Sequence, residues 1–186
     1  QRKTYSDSDI KALDSFAEKQ IPWKRMLIYL LRYTGARLNE ICQLKVSDID
    51  LDKRLICIND GDGQVLKTSN SKRQIPIHSR LFEKGLKVFI LSRQGSGQLF
   101  PITPIQGSHS HSFSKWYTRC KKRDSSLPEL AGARHHVATA LKSLGVSEQY
   151  AAGILGHSKG LGISYNRYGK GVENLAKLKE VVEQIC

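Results

Sequence analysis

The sequence predicts a mainly α fold with one small three-stranded antiparallel β-sheet. Apolar residues recur at three- and four-residue spacing through most of the 186 residues, and only residues 54–77 carry short β-type runs separated by turn formers. A chain of this length can bury one sizeable core, and nothing in the pattern calls for a second, so one domain over 1–186 is expected.

In chain order, Ser6 and Asp9 read as a capping box with Asp in place of Glu. Ile10, Leu13, Phe16 and Ala17 then carry a first helix to about Lys19. Pro22 suits the first turn of a second helix, with Met26, Leu27, Leu30 and Leu31 on one face and a stop near Gly35. Arg37 enters a third helix (Leu38, Ile41, Leu44) that VSDID closes. RLICI, QVLKT and RQIPI read as three strands, with Asp-Gly and Ser-Asn-Ser turns favouring antiparallel pairing and Lys67 on the middle strand or at its tip. Residues 79–92 read as one helix, and 93–107 as a loop. Phe113, Trp116 and Tyr117 mark a helix carrying Lys115, Arg119, Lys121, Lys122 and Arg123. Val137 to Leu144 and Ser147 to Leu155 form two more helices, stopped at Gly145 and Gly156. Val172, Leu175, Leu178, Val181 and Ile185 give a terminal amphipathic helix that must cover something.

Thirty Lys and Arg against 17 Asp and Glu leave a formal charge of +13, an excess that favours a polyanion partner over a merely basic soluble protein. Cys42, Cys57, Cys120 and Cys186 have no metal-ligand or CxxC spacing and read as reduced thiols; no metal or other cofactor is expected. His78, His109 and His111 show no ligand spacing and are expected at the surface. No signal peptide opens the chain and no apolar run is long enough for a bilayer, so a cytoplasmic protein is expected. The first residue is Gln1 rather than Met, which suggests a region to its N-terminal side.

Residues 131–171 concentrate reactive groups. Arg134 falls near one helix start, His157 just past another helix end, and Tyr165 and Tyr168 between glycines, an arrangement suited to chemistry on a phosphate. Together, TGARLNEI, LKTSNSKRQIPI, ARHHVATAL, ILGHS and NRYGKG, in this order and spacing, resemble the catalytic domain of the tyrosine recombinases, the phage integrase family. Each piece is weak alone; the ordered set of five is specific and covers nearly the whole chain.

The resemblance implies a tyrosine-recombinase catalytic-domain fold and a metal-independent cleavage and rejoining of double-stranded DNA through a 3′-phosphotyrosyl link. It assigns Arg37 and Arg134 as the catalytic arginines, Glu40 as the supporting acid, Lys67 as the hairpin lysine, with Lys72 its rival, His157 as the later histidine and Tyr168 as nucleophile in preference to Tyr165. Two arginines can neutralise the non-bridging oxygens with planar forks, and a lysine can protonate the departing oxygen. It also implies a homotetramer on DNA, with the isolated domain able to remain monomeric, residues 172–186 exchanged between protomers, a preceding core-binding domain outside this chain, and a bacterial or phage origin. Lys72, Arg73, Lys115, Arg119, Lys121, Lys122 and Arg123 are the expected DNA contacts; a solvated basic face is the alternative for the helical set. Two departures stand out. Ala131 occupies the position, three before Arg134, where the family usually has His, which leaves open a degenerate DNA-holding module. The spacing from His157 to Tyr168 is also lengthened by Gly160 and Gly162.

Overall fold

The structure, a computed structural model, describes residues 4–67, 71–156 and 171–185, without the side chains of 171–174. Helix α1 (Asp7–Glu18) begins at the expected capping box: the Ser6 hydroxyl accepts from the Asp9 N–H and the Asp9 carboxylate accepts from the Ser6 N–H. Helix α2 (Pro22–Thr34) follows, with Pro22 in its first turn. Sequence spacing put its apolar residues on one face. Every residue from Met26 to Thr34 is instead buried, so α2 is the central helix, surrounded by the other elements. It ends at Gly35, whose φ of +62° suits glycine and whose missing side chain lets Val137 and Leu155 approach to about 3 Å of where a Cβ would stand.

Helix α3 (Leu38–Cys42) and a single 3-10 turn (Val46–Asp48) lead into the sheet. Strands β1 (Ile49–Asp50), β2 (Leu55–Ile58) and β3 (Arg73–Pro76) pair antiparallel in that order, with Ile56 opposite both Ile49 and Ile75. The sheet is thus three-stranded as expected, but its membership differs. Ile49–Asp50 supplies the first strand, and residues 64–67 of the QVLKT run lie outside the strands, with both backbone groups of Val65 bonded to the Gln43 side chain. The helix expected over 79–92 is two, α4 (Ser79–Glu83) and α5 (Leu86–Ser92), because Gly85 takes φ +88° between them.

Helix α6 (His111–Arg123) buries Phe113 and Tyr117. Helix α7 (Ala131–Ser143) and α8 (Glu148–Leu155) follow, and α9 (Gly171–Glu183) closes the described chain. The core has two parts. The larger gathers α1 to α6 and the sheet around α2; the smaller joins Val137, Leu141, Ile154 and Leu155 to Leu178, Val182 and Ile185 of the C-terminal segment. Each fully buried Leu or Ile contributes about 1.5–3 kcal/mol, so α9 is held by its apolar stripe against this same chain. Its end is also pinned by polar contacts: Glu183 accepts from the Ser79 N–H (2.9 Å) and hydroxyl (2.6 Å), capping α4. His78, expected at the surface, is buried, with Nε2 2.9 Å from the Ile185 carbonyl and Nδ1 accepting from the Arg80 N–H.

Among the described residues no helix is long and apolar enough to cross a membrane, and no group of His, Cys, Asp or Glu could hold a metal ion. Cys42, Cys57 and Cys120 are free thiols, and burial pushes Cys42 up to about 12.

Candidate functional site

Arg37 and Arg134 meet where the two parts of the core join. Arg37 is the N-cap of α3. Its backbone N–H and its Nη1 both donate to Glu40, each at 2.8 Å, and its Nη2 donates to the carbonyl of Gly156 at 3.0 Å. Arg134 leaves the first turn of α7 and donates Nη1 to the carbonyl of Gly35 at 2.8 Å. Each arginine therefore bonds a backbone carbonyl from the opposite part of the fold. Gly35 and Gly156 are the left-handed caps of α2 and α8, and such caps leave carbonyls for donors of this kind.

The electrostatics of the pair are those of an anion site. Burial, then the positive charge of Arg37, with a further push from Arg73 and against the pull of Glu40, lowers the Arg134 guanidinium to about 10. Its Nη2 is buried with no hydrogen-bond partner among the described residues. A buried donor without a partner costs free energy, and a phosphate oxygen would satisfy it while offsetting the repulsion between the two cations.

Glu40 is more than a helix ion-pair partner. It is buried between Arg37 and Arg73, and Arg73 donates Nη1 and Nη2 to its two oxygens at 3.2 and 2.8 Å. Burial acts against the Glu40 charge, but the hydrogen bonds and charge of Arg73, with those of Arg37, outweigh it and hold the carboxyl below its usual range. Arg73 was expected among the DNA contacts. That expectation is corrected: its residue exposure is 5%, and Nε and Nη1 also donate to the carbonyls of Ile154 and Ser71. The guanidinium is consumed inside the fold. The strand pattern carried the signal, since Arg73, Ile75 and Ile77 alternate onto one face of β3 and its continuation.

Lys67 is exposed and lies outside the strands, and Lys72, also exposed, pairs with Asp60 at 2.6 Å. Lys115, Arg119, Lys122 and Arg123 are exposed on α6, while Lys121 pairs with Glu129 at 3.2 Å. Ala131 is the exposed first residue of α7, with no acid–base group of its own. The adjacent Gly132 explains part of the unusual AGA run: a Cβ there would collide with the Tyr5 ring, whose hydroxyl donates to the Glu129 carbonyl at 2.8 Å. Tyr5 and this packing were not foreseen, and a lone Tyr ahead of a helix carries little signal. His157, Tyr165 and Tyr168 lie outside the described residues, so the structure brings together Arg37, Glu40 and Arg134 of the expected set.

The family model described as the Phage integrase family matches residues 4–168. Tyrosine recombinase XerA of Thermococcus onnurineus is 30% identical over 139 residues, 71% of this chain and 46% of the relative. XerA of Thermococcus kodakarensis is 26% identical over 160 residues, 84% of this chain and 54% of the relative, so the chain spans about half the length of these curated relatives. Among solved structures, the integrase from mycobacterium phage Brujita superposes with a TM-score of 0.70 at 21% identity, covering 99% of this chain and 58% of that one. The Tn1549 transposon integrase, in complex with a circular intermediate DNA, gives 0.65 at 21% identity, covering 85% and 58%. These likenesses support the fold, that of tyrosine recombinase and integrase catalytic domains, and the family match over most of the sequence shows that the chain belongs to the phage integrase family.

Proposed function

We propose that the chain is the catalytic domain of a site-specific DNA recombinase that cleaves and rejoins strands through a 3′-phosphotyrosyl intermediate. The observation that carries this reading is the reciprocal pair of arginines with an unpartnered buried Nη2 on Arg134. Arg37 and Arg134 clamp the non-bridging oxygens of the scissile phosphate. The Tyr168 oxygen bonds to phosphorus as the bond to the 5′ oxygen breaks; the phenol proton passes to solvent and Lys67 protonates the departing oxygen. His157 donates a hydrogen bond to the phosphate. The link conserves the bond energy, so a second DNA end can attack it without ATP. The exposed cations of α6 and Lys72 contact the DNA backbone. On DNA, four copies assemble and exchange residues 172–186.

A nicked suicide site that traps the covalent intermediate tests this reading. Protein–DNA adduct is expected from the wild type and from Tyr165→Phe, and none from Tyr168→Phe. Absence of adduct from every form of the intact protein overturns it.

Ala131 favours a second reading, a recombinase fold that holds DNA without cutting it. A positioned acid–base group contributes about 10²–10⁴-fold, so Ala131→His is expected to raise the adduct yield on the same substrate; position 131 is exposed and accepts the larger side chain. A variant that binds the site and forms no adduct supports the binding module.

A further inference from the structure

The ends of α3 reach both Val65, two residues before Lys67, and Ser71, just ahead of β3. Gln43, at the C-terminal end of α3 and only 1% exposed, acts toward Val65 as a neighbouring strand would. Its Oε1 accepts the Val65 N–H at 2.9 Å and its Nε2 donates to the Val65 carbonyl at 3.0 Å. Gln64, also buried, reinforces this anchor by donating to the Gln43 carbonyl at 3.1 Å and to Asp48 at 2.8 Å. At the other side Ser71 is fully buried; its carbonyl accepts from Arg73 at 2.8 Å and its hydroxyl lies 3.4 Å from Arg37 Nη1. One five-residue helix therefore holds Arg37 at its start and, through Gln43, the backbone two residues before Lys67 at its end.

We propose that Gln43 is a positioning residue for the Lys67 ammonium, setting its distance from the phosphate held by Arg37. The proposal rests on the reading of Lys67 as the group that protonates the departing 5′ oxygen. Gln43 touches no reacting atom; it acts through the Val65 backbone. A paired side-chain amide suits this task because it satisfies both polar groups of one residue, where a single hydrogen bond would leave that residue free to rotate. Lys67 can then stand exposed two residues beyond Val65, outside the strands.

The test uses the intact protein and two duplexes, one with the natural 5′ oxygen at the scissile bond and one with sulfur in its place. A thiolate leaves without needing a proton, so the sulfur substrate bypasses the Lys67 step. On the oxygen substrate, Lys67→Ala is expected to slow cleavage by about 10²–10⁴-fold. Gln43→Met, which keeps the volume and loses both hydrogen bonds, should slow it by about 10–100-fold, the scale of a small misplacement. Val65→Pro removes the same N–H from a residue 56% exposed, so it decides the matter if Gln43→Met fails to fold. All three should regain near wild-type rates on the sulfur substrate, and Gln43→Met should add nothing to Lys67→Ala. Equal slowing of Gln43→Met and Val65→Pro on both substrates overturns the positioning role and leaves the lysine assignment standing. Failure of sulfur to rescue Lys67→Ala itself overturns both.

Discussion

Arg134→Ala is expected to lower strand cleavage by about 10²–10³-fold, the usual cost of removing one fixed donor from a developing oxyanion. The loss should fall on the chemical step, read as the single-turnover rate of adduct formation at saturating DNA. Arg134→Lys should not restore it, since a lysine offers a point charge in place of a fork that can reach both Gly35 and a phosphate oxygen. The fold should survive either change. Arg134 contributes one hydrogen bond to a carbonyl, worth about 1 kcal/mol, and its burial beside Arg37 is itself unfavourable. A thermal midpoint within a few degrees of wild type, alongside the collapsed rate, is the expected pair of results. A rate within threefold of wild type would remove Arg134 from the catalytic set.

Glu40→Ala is expected to have the largest effect on stability. It leaves the Arg73 guanidinium, with a side chain 2% exposed, buried without a counter-charge, and breaking such a pair costs about 3–5 kcal/mol. At about 2–4 °C per kcal/mol for a chain of this size, the midpoint should fall by roughly 6–20 °C. Replacing both members, as Glu40→Met with Arg73→Met, should recover much of that loss, because the penalty lies in the orphaned charge. Acid should act as the single substitution does. The Glu40 carboxyl is held below its ordinary value of 4.5, so the stability from its pairing is complete above that pH and is lost as pH falls through the lower folded value. Unfolding midpoints measured from pH 6 downward should drop in the wild type and flatten in Glu40→Ala; parallel curves would show that other carboxylates carry the acid sensitivity.

Helix starts and stops could be read directly from residue types, because caps are local: Ser6 with Asp9, Pro22, Gly35 and Gly156 all act within one turn of where they stand. The arginines could be read for a different reason, since the ordered set of motifs that contains them resembles a known family. What escaped sequence reading depends on partners far along the chain. QVLKT alternates like a strand, yet the Gln43 side chain satisfies the backbone of Val65, and no local pattern announces a side chain that substitutes for a neighbouring strand. Arg73 looked like one more surface cation because its destination, Glu40, lies 33 residues away. His78 looked exposed because the groups it meets, the Tyr33 ring and the Ile185 carbonyl, lie far from it along the chain.

The crossed bonds of Arg37 to Gly156 and Arg134 to Gly35 make the spacing of the two guanidinia and the alignment of the two core parts one structural quantity. A ligand that bridges both guanidinia therefore tightens the seam between the two parts as it binds.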